Sequence, residues 1–250
     1  MQEPTLDWLR YRVHFAPGIA IDAPTPRQFD TPQFLGVLTK EGLELKPKVR
    51  IETQAEARAA IEPLLRAWEV QIGLDVGTPV LTFEFEGLRF VDGASPSGSG
   101  FGLHHSTAEL GPDAFVVHHL KEFPPPPKGF VSTPDIETLW FRFRMYKQRR
   151  EPLQSMAYFC LTVLKASCSG TDGVARILSV DKAVLRKISD LSTNTGDSKT
   201  ARKRTHQLRV STAVERHWLE AAILALIRHM GEVAAGNVPT QLRMTSLPAL

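Results

Sequence analysis

The sequence predicts an α+β protein with two domains: an N-terminal mixed β-sheet domain with one helix, and a C-terminal four-helix domain. In the first half of the chain, apolar residues mostly alternate with polar ones, which is the period of half-buried strands. In the second half, apolar residues recur every three to four positions, as on helices packed against a core. Four consecutive prolines, residues 124–127, separate the two patterns, because such a run continues only as an extended segment. We therefore predict a sheet domain over residues 1–127, a basic helical domain over 128–235 and a flexible tail over 236–250.

Five strands are predicted in the N-terminal domain. The first, residues 9–15, alternates Leu, Tyr, Val and Phe with Arg and His. Residues 34–38 and 43–51 form two more strands, joined by a short turn that contains glycine. The alternation returns in residues 80–90, and residues 114–123 form a fifth candidate that ends at the prolines. This pattern gives the sheet one buried face and one exposed face.

One helix is predicted between the third and the fourth strand. Thr53 and Glu56 form a capping box, in which each side chain accepts a hydrogen bond from the other residue's backbone N–H. Apolar residues then follow at helical spacing as far as Trp68. Pro63 lies within this stretch and is expected to kink or restart the helix, because proline removes one helical hydrogen bond.

The C-terminal domain begins with two predicted helices. Thr133 is a suitable N-cap and Pro134 a suitable first helical residue, so the first helix is expected to run from there to about Arg149. The second, residues 151–167, is apolar nearly all round. That composition predicts a central and buried helix.

Two further helices are predicted after these. Ser179 or Asp181 begins the third, and the turn after Asn194 ends it. A second capping box, formed by Thr212 and Glu215, begins the fourth. Its apolar residues recur at helical spacing, so all four helices can share one core.

Residues 140–209 hold the excess positive charge of the chain. They contain 15 Lys and Arg against 5 Asp and Glu, whereas the remainder contains 15 and 22. This asymmetry predicts an anionic partner for the helical domain. Between residues 192 and 209 the cations are interleaved with hydroxyl and amide side chains, which also contact phosphate oxygens. The predicted nucleic-acid-binding residues are Lys182, Arg186, Lys187, Lys199, Arg202, Lys203, Arg204 and Arg209.

Three classes of function are compatible with this pattern. The first is a non-enzymatic binding protein whose basic helical domain engages nucleic acid or another anionic macromolecule, such as an acidic protein surface. The second is a metal-independent ribonuclease with His206 or His217 as its base. The third is a structural or interaction subunit of a larger assembly or homo-oligomer, held together by the charge asymmetry. A polar turn before residues 180–191 also gives that helix pair a resemblance to a helix-turn-helix.

The ribonuclease alternative comes from a comparison with the HEPN ribonucleases, which are helical and carry an Arg followed by a His after four to six residues. The helical domain carries both residue types, but three residues separate Arg202 from His206, and seven separate Arg209 from His217. No Arg–His pair in the basic loop has the family spacing. The resemblance implies a His general base beside an Arg that binds phosphate, which would cleave RNA without a metal.

Neither a metal site nor a cofactor is expected. His104 and His105 are adjacent in the chain, and so are His118 and His119. Adjacent side chains on a strand point to opposite faces, so each pair could offer only one ligand to a given site. The nearby sequence contains no cysteine that could complete a transition-metal site.

The two cysteines, Cys160 and Cys168, cannot form a disulfide framework, and their spacing is not that of a zinc site. Cys160 lies in the most apolar segment, where burial disfavours a reactive thiolate. The first 15 residues carry charges and no apolar run, and no stretch of the chain has the roughly 20 apolar residues of a membrane helix. We therefore expect a soluble, cytoplasmic protein in a reducing compartment, without membrane contact.

Overall fold

The fold is an antiparallel sheet with one helix, followed by a set of helices, which confirms the predicted α+β class. A computed structural model describes residues 5–22, 25–91, 118–194 and 209–250. The chain divides into two units. The sheet unit comprises Met1–Ile72 and Val80–Pro126, and the helical unit comprises Gly73–Pro79 and Pro127–Leu250. No helix among the described residues is both long enough and apolar enough to cross a membrane.

The sheet unit contains seven strands in its described residues. They are β1 (Thr5–Phe15), β2 (Ile19–Ile21), β3 (Arg27–Asp30), β4 (Phe34–Leu38), β5 (Leu43–Pro47), β6 (Leu81–Val91) and β7 (His118–Leu120). Five of them form a sheet in the order β3-β4-β5-β1-β6, in which every neighbouring pair is antiparallel. The remaining two, β2 and β7, pair in parallel. The alternation in β1 buries Leu9, Tyr11 and Val13 on one face of the sheet.

The strand boundaries differ from the sequence prediction in three places. The first strand begins at Thr5 rather than residue 9, and the strand predicted over residues 43–51 ends at Pro47. Of the predicted strand 114–123, only β7 is seen in the described residues, and residues 114–117 lie outside them. The short strands β2 and β3 were not predicted, because their segments have too few alternating residues to give a period.

The long helix α1 (Gln54–Val76) contacts the sheet through Trp68. The Trp68 ring is 1% exposed, and its centroid lies 5.2 Å from that of Phe29 and 5.5 Å from that of Phe83. The buried carboxylate of Glu69 accepts a hydrogen bond from the Phe83 backbone N–H at 2.6 Å. This backbone N–H provides a hydrogen bond to a carboxylate that is buried.

The start of α1 follows the predicted cap only in part. The Glu56 backbone N–H donates to Thr53 Oγ1 at 3.1 Å, as in a capping box. The Glu56 carboxylate, however, accepts from the Glu52 backbone N–H rather than from Thr53. Pro63 lies inside the helix, which continues to Val76 and does not restart there.

Among its described residues, the helical unit contains all four predicted helices and one further α-helix. They are α2 (Pro134–Lys147), α3 (Leu153–Ser167), α4 (Thr171–Ile177), α5 (Lys182–Asn194) and α6 (Ala213–Ala234). The additional helix is α4, which at seven residues is too short for its apolar period to be recognised. The predicted caps are present: Thr133 Oγ1 accepts from the Ile136 N–H, and Thr212 and Glu215 form a complete capping box.

The C-terminal segment, residues 237–250, differs from the flexible tail that the sequence predicts. Leu242 is 5% exposed and lies beside Val180, with which it forms a parallel bridge. The Leu242 N–H donates to the Ser179 carbonyl at 2.8 Å, and the Asp181 N–H donates to the Leu242 carbonyl at 2.9 Å. Burial of one leucine with two backbone hydrogen bonds therefore docks this segment on the residues between α4 and α5.

Candidate nucleic-acid interface

The outer face of α5 carries three of the eight predicted binding residues. The inner face of this helix is fully buried through Val184, Leu185, Ile188 and Leu191. Lys182 and Arg186 are exposed one helical turn apart, and Lys187 is half-buried beside them. Because the apolar period fixes which side of α5 packs inward, it also orients these cations towards solvent.

The cations of α5 differ in their acidic neighbours. Lys182 Nζ lies 2.8 Å from Asp172 Oδ1 of α4, and its hydrogen bond and charge lower the pKa of that carboxyl group. Lys187 Nζ lies 3.7 Å from Asp190 Oδ2. Within the described residues, no carboxylate pairs with Arg186. Ion pairs near the surface are weak because water and salt screen them, so both lysines can exchange their carboxylates for a phosphate.

Arg209 is engaged in local structure at the start of α6. Its Nη1 donates to Glu215 Oε2 at 2.6 Å, and its Nη2 donates to the other oxygen of the same carboxylate. This contact, together with the backbone N–H of Thr212, lowers the pKa of Glu215 to about 2. The hydrogen bond with Glu215 raises the pKa of Arg209, and the charge of Asp190 on α5 adds to that effect. Arg209 therefore has a competing carboxylate partner, whereas no described carboxylate pairs with Arg186.

The four remaining predicted residues, Lys199, Arg202, Lys203 and Arg204, lie outside the described residues. They belong to the basic loop, residues 195–208, which follows α5 directly in the chain. Their contribution to an interface stays a prediction from the sequence.

Another cation near the start of α5 is Arg243 of the C-terminal segment, which was not among the predicted residues. It is exposed and follows Leu242 directly. The next residue, Met244, lines a shallow groove of about 360 Å³ together with Ala183, Arg186, Lys187 and Asp190. No local sequence signal identifies Arg243, because its position depends on the contact between Leu242 and Val180.

The four residues between α4 and α5, residues 178–181, are held from several sides. Ser179 has a φ of 51°, in the left-handed region. The buried His229 of α6 donates through Nδ1 to the Leu178 carbonyl at 2.7 Å. Asp181 Oδ1 accepts from the Ala183 N–H at 2.8 Å and so caps the start of α5. These contacts fix the direction in which α5 leaves the turn.

The described histidines and acidic residues do not form a metal centre. His119 Nδ1 lies 2.9 Å from Asp22 Oδ2, and both side chains are exposed. His104 and His105 lie outside the described residues. Elsewhere in the described part of the chain, no three His, Cys, Asp or Glu side chains lie close enough together to hold a metal ion.

The cysteines are not placed for nucleophilic chemistry. Cys160 is fully buried in α3, and burial, with a smaller effect from the charge of Glu151, raises the pKa of its thiol to about 12. Burial also raises the pKa of Cys168. A thiol must be ionised to act as a nucleophile, so neither residue is activated.

The residues named for the ribonuclease alternative are not brought together in the described structure. Arg209 is bound by Glu215, and His206 lies outside the described residues. His217 is exposed on the first turns of α6, and its imidazole forms no hydrogen bond or ion pair with a described residue. None of the protein-family models, curated proteins or solved structures compared with this chain matches it.

Proposed function

We propose that this protein is a non-enzymatic nucleic-acid-binding protein that engages its ligand through the outer face of α5 and the basic loop. The observation that carries the proposal is Arg186, which is exposed on a helix with a fully buried inner face and has no carboxylate partner among the described residues. A guanidinium that no described carboxylate occupies is suited to bind a phosphate through two parallel N–H donors.

The neighbouring charges support this proposal. Lys182 and Lys187 lie on the same helix as Arg186, and Arg243 follows Leu242, whose carbonyl accepts from the Asp181 N–H at the start of α5. The basic loop adds four cations in the residues that follow α5. Each phosphate contact releases a condensed counterion, so several such contacts together provide affinity without a deep pocket. The groove beside α5 is shallow, which fits a polyanion better than a small molecule.

The absence of an activated nucleophile in the described residues favours binding over catalysis. The Cys160 thiol is buried and protonated at neutral pH. His217 has no hydrogen-bonded partner in the described part of the chain that would orient it as a base. General-base catalysis needs such a positioned group within reach of its substrate.

Fluorescence anisotropy with labelled DNA and RNA oligonucleotides tests the proposal. The logarithm of the affinity should fall linearly with the logarithm of salt concentration, by about 0.7 to 0.9 per phosphate contact. Arg186→Ala should weaken binding and reduce the slope by about that amount. Replacing Arg202, Lys203 and Arg204 together by Ala should reduce the slope by about two.

Lys40→Ala is the matched control, since Lys40 is exposed in the turn between β4 and β5 and its removal changes the net charge equally. It should leave the affinity almost unchanged. If the wild-type protein shows no salt-dependent binding to DNA or RNA at low ionic strength, the proposal is wrong. An acidic protein surface would then be the partner to seek.

A further inference from the structure

Two consecutive helices in the helical unit are joined by a turn of the length found in helix-turn-helix motifs. The first helix, α4, has 7 residues, and the second, α5, has 13. Residues 178–181 connect them, and a helix-turn-helix uses a turn of about three to four residues that often contains glycine. Here Ser179 takes the left-handed backbone conformation, with a φ of 51°, that glycine normally supplies.

The two helices and their turn form one packed unit with α3. The residues that hold it together are apolar, and each is at most 3% exposed: Val174, Leu178, Val180, Leu185 and Ile188. Both helices contact α3, which covers their inner side. A single side of α5 is consequently left to face outward, as a recognition helix requires.

The outward positions of α5 carry side chains that can contact base edges. Ala183, Arg186, Lys187 and Asp190 recur at spacings of three and four and line one groove. Arg and Lys donate to guanine, Asp accepts from cytosine, and the Ala methyl group packs against the thymine methyl group. Recognition helices read bases mainly through residues of their N-terminal half, where Ala183, Arg186 and Lys187 lie.

We propose that α4, residues 178–181 and α5 form a helix-turn-helix that places the outer face of α5 in the major groove of double-stranded DNA. This inference rests on the proposed nucleic-acid binding and names the form of the ligand. Arg176 is exposed on α4, and Arg243 is exposed next to Leu242, which bonds the backbone at the start of α5. In such a complex the first helix crosses the DNA backbone, so Arg176 contacts phosphate there.

The composition of the two helices favours a duplex over a single strand. Proteins that bind single strands stack the bases on aromatic side chains, which contribute about 1 to 3 kcal/mol per base. Neither α4 nor α5 contains an aromatic residue. A face built from aliphatic, cationic and carboxylate groups instead matches the donors, acceptors and methyl groups of the major groove.

The turn is fixed well enough to set the docking angle of α5. His229 of α6 holds the Leu178 carbonyl, and the backbone of Leu242 holds Ser179 and Asp181. Recognition of base edges requires side chains to be held by rigid supporting residues. Two segments that are distant in sequence, α6 and the C-terminal segment, therefore fix this short connection.

The test uses the full-length protein and a pool of randomised double-stranded DNA. Selection for bound duplexes should enrich a short sequence, which should bind more tightly than its own separated strands. Arg186→Ala should weaken binding of the enriched duplex by about tenfold to a hundredfold, the cost of one lost bidentate base contact. Arg186→Lys keeps the charge, so it should preserve binding to random duplexes while reducing the preference for the enriched one.

Lys40→Ala serves again as the control, and circular dichroism verifies that each variant is folded. If single strands bind as tightly as the duplex and no sequence is enriched, the helix-turn-helix is refuted while nucleic-acid binding stands. The same conclusion follows if the enriched duplex responds to Arg186→Ala no more than to Lys40→Ala. If no nucleic acid of any form binds in a salt-dependent manner, both proposals are wrong.

Discussion

Substitution of Leu242 tests whether the C-terminal segment belongs to the core of the helical unit. The Leu242 side chain is 5% exposed and lies against the residues between α4 and α5. Replacing a buried leucine by alanine costs about 2 to 5 kcal/mol, and a site near a chain end relaxes more readily than a central one. We therefore expect Leu242→Ala to lower the free energy of unfolding by about 2 to 3 kcal/mol.

Truncation after Gly236 should destabilise the protein further. It removes Leu242 together with its two backbone hydrogen bonds to Ser179 and Asp181, and also the bond from Asn237 Nδ2 to the Gly129 carbonyl. Each hydrogen bond contributes about 1 kcal/mol. The expected loss is about 4 to 6 kcal/mol, whereas a flexible tail would contribute almost none.

Thermal unfolding followed by far-ultraviolet circular dichroism measures both changes. At about 2 to 4 °C per kcal/mol for a chain of this size, Leu242→Ala should lower Tm by roughly 4 to 12 °C. Val238→Ala is the matched control, since Val238 belongs to the same segment and is 88% exposed. If the two substitutions have equal effects, the segment is not docked, and Arg243 is not held beside α5.

Three further predictions concern other parts of the structure. Gly173→Ala should cost more than about 3 kcal/mol, because its Cβ would lie 1.5 Å from the Cys168 carbonyl oxygen. Gly87→Ala is its control, as no atom lies within 4 Å there; equal losses in urea denaturation would contradict the close approach. Native Cys160 should resist alkylation at about pH 8, because its pKa is raised to about 12, and rapid labelling before unfolding would disprove its burial. The pKa of Glu215 is lowered on folding, so its charged form stabilises the native state above about pH 4.5 and this stabilisation is lost as the pH falls towards 2. The difference in unfolding free energy between Glu215→Gln and the wild type should shrink over that range, and a difference independent of pH would show that the charge is not responsible.

The parts of the fold that were predicted correctly have strong local signals. Thr133 followed by Pro134 marks the start of α2, and Thr212 with Glu215 marks the start of α6. A cap is made by residues three apart, so the sequence alone contains both partners. The apolar period of α5 likewise predicts which side is buried, and with it the exposure of Arg186.

The parts that were missed depend on contacts between distant residues. No N-cap side-chain bond precedes α4, which begins after Gly170 with a φ of 98°. The C-terminal segment has the composition of a flexible tail, and only its pairing with Val180 orders Leu242. A partner 62 positions away leaves no periodic signal in the sequence.

The candidate site shows the same division between local and distant contacts. Lys182, Arg186 and Lys187 were predicted from charge, and the helix brings them to one face. Arg209 was predicted on the same ground, but it binds Glu215, six residues away. Charge counting does not distinguish a cation available to a ligand from one occupied by a neighbouring acid. Arg243 was missed because its segment was assigned no structure.

The residues that hold the turn between α4 and α5 affect both the stability of the helical unit and the geometry of the proposed interface. His229 and Leu242 do not bind phosphate in this proposal. Their hydrogen bonds to the carbonyl and N–H groups of the turn fix the position at which α5 begins. If α5 entered a major groove, a shift in its direction would move Arg186 away from a base edge while leaving its charge in place. Purely electrostatic binding by the basic loop depends on charge and would tolerate such a shift. A variant that loosens the turn should therefore reduce sequence preference if α5 recognises base edges. It should leave overall affinity largely unchanged if the basic loop attracts the DNA by charge alone.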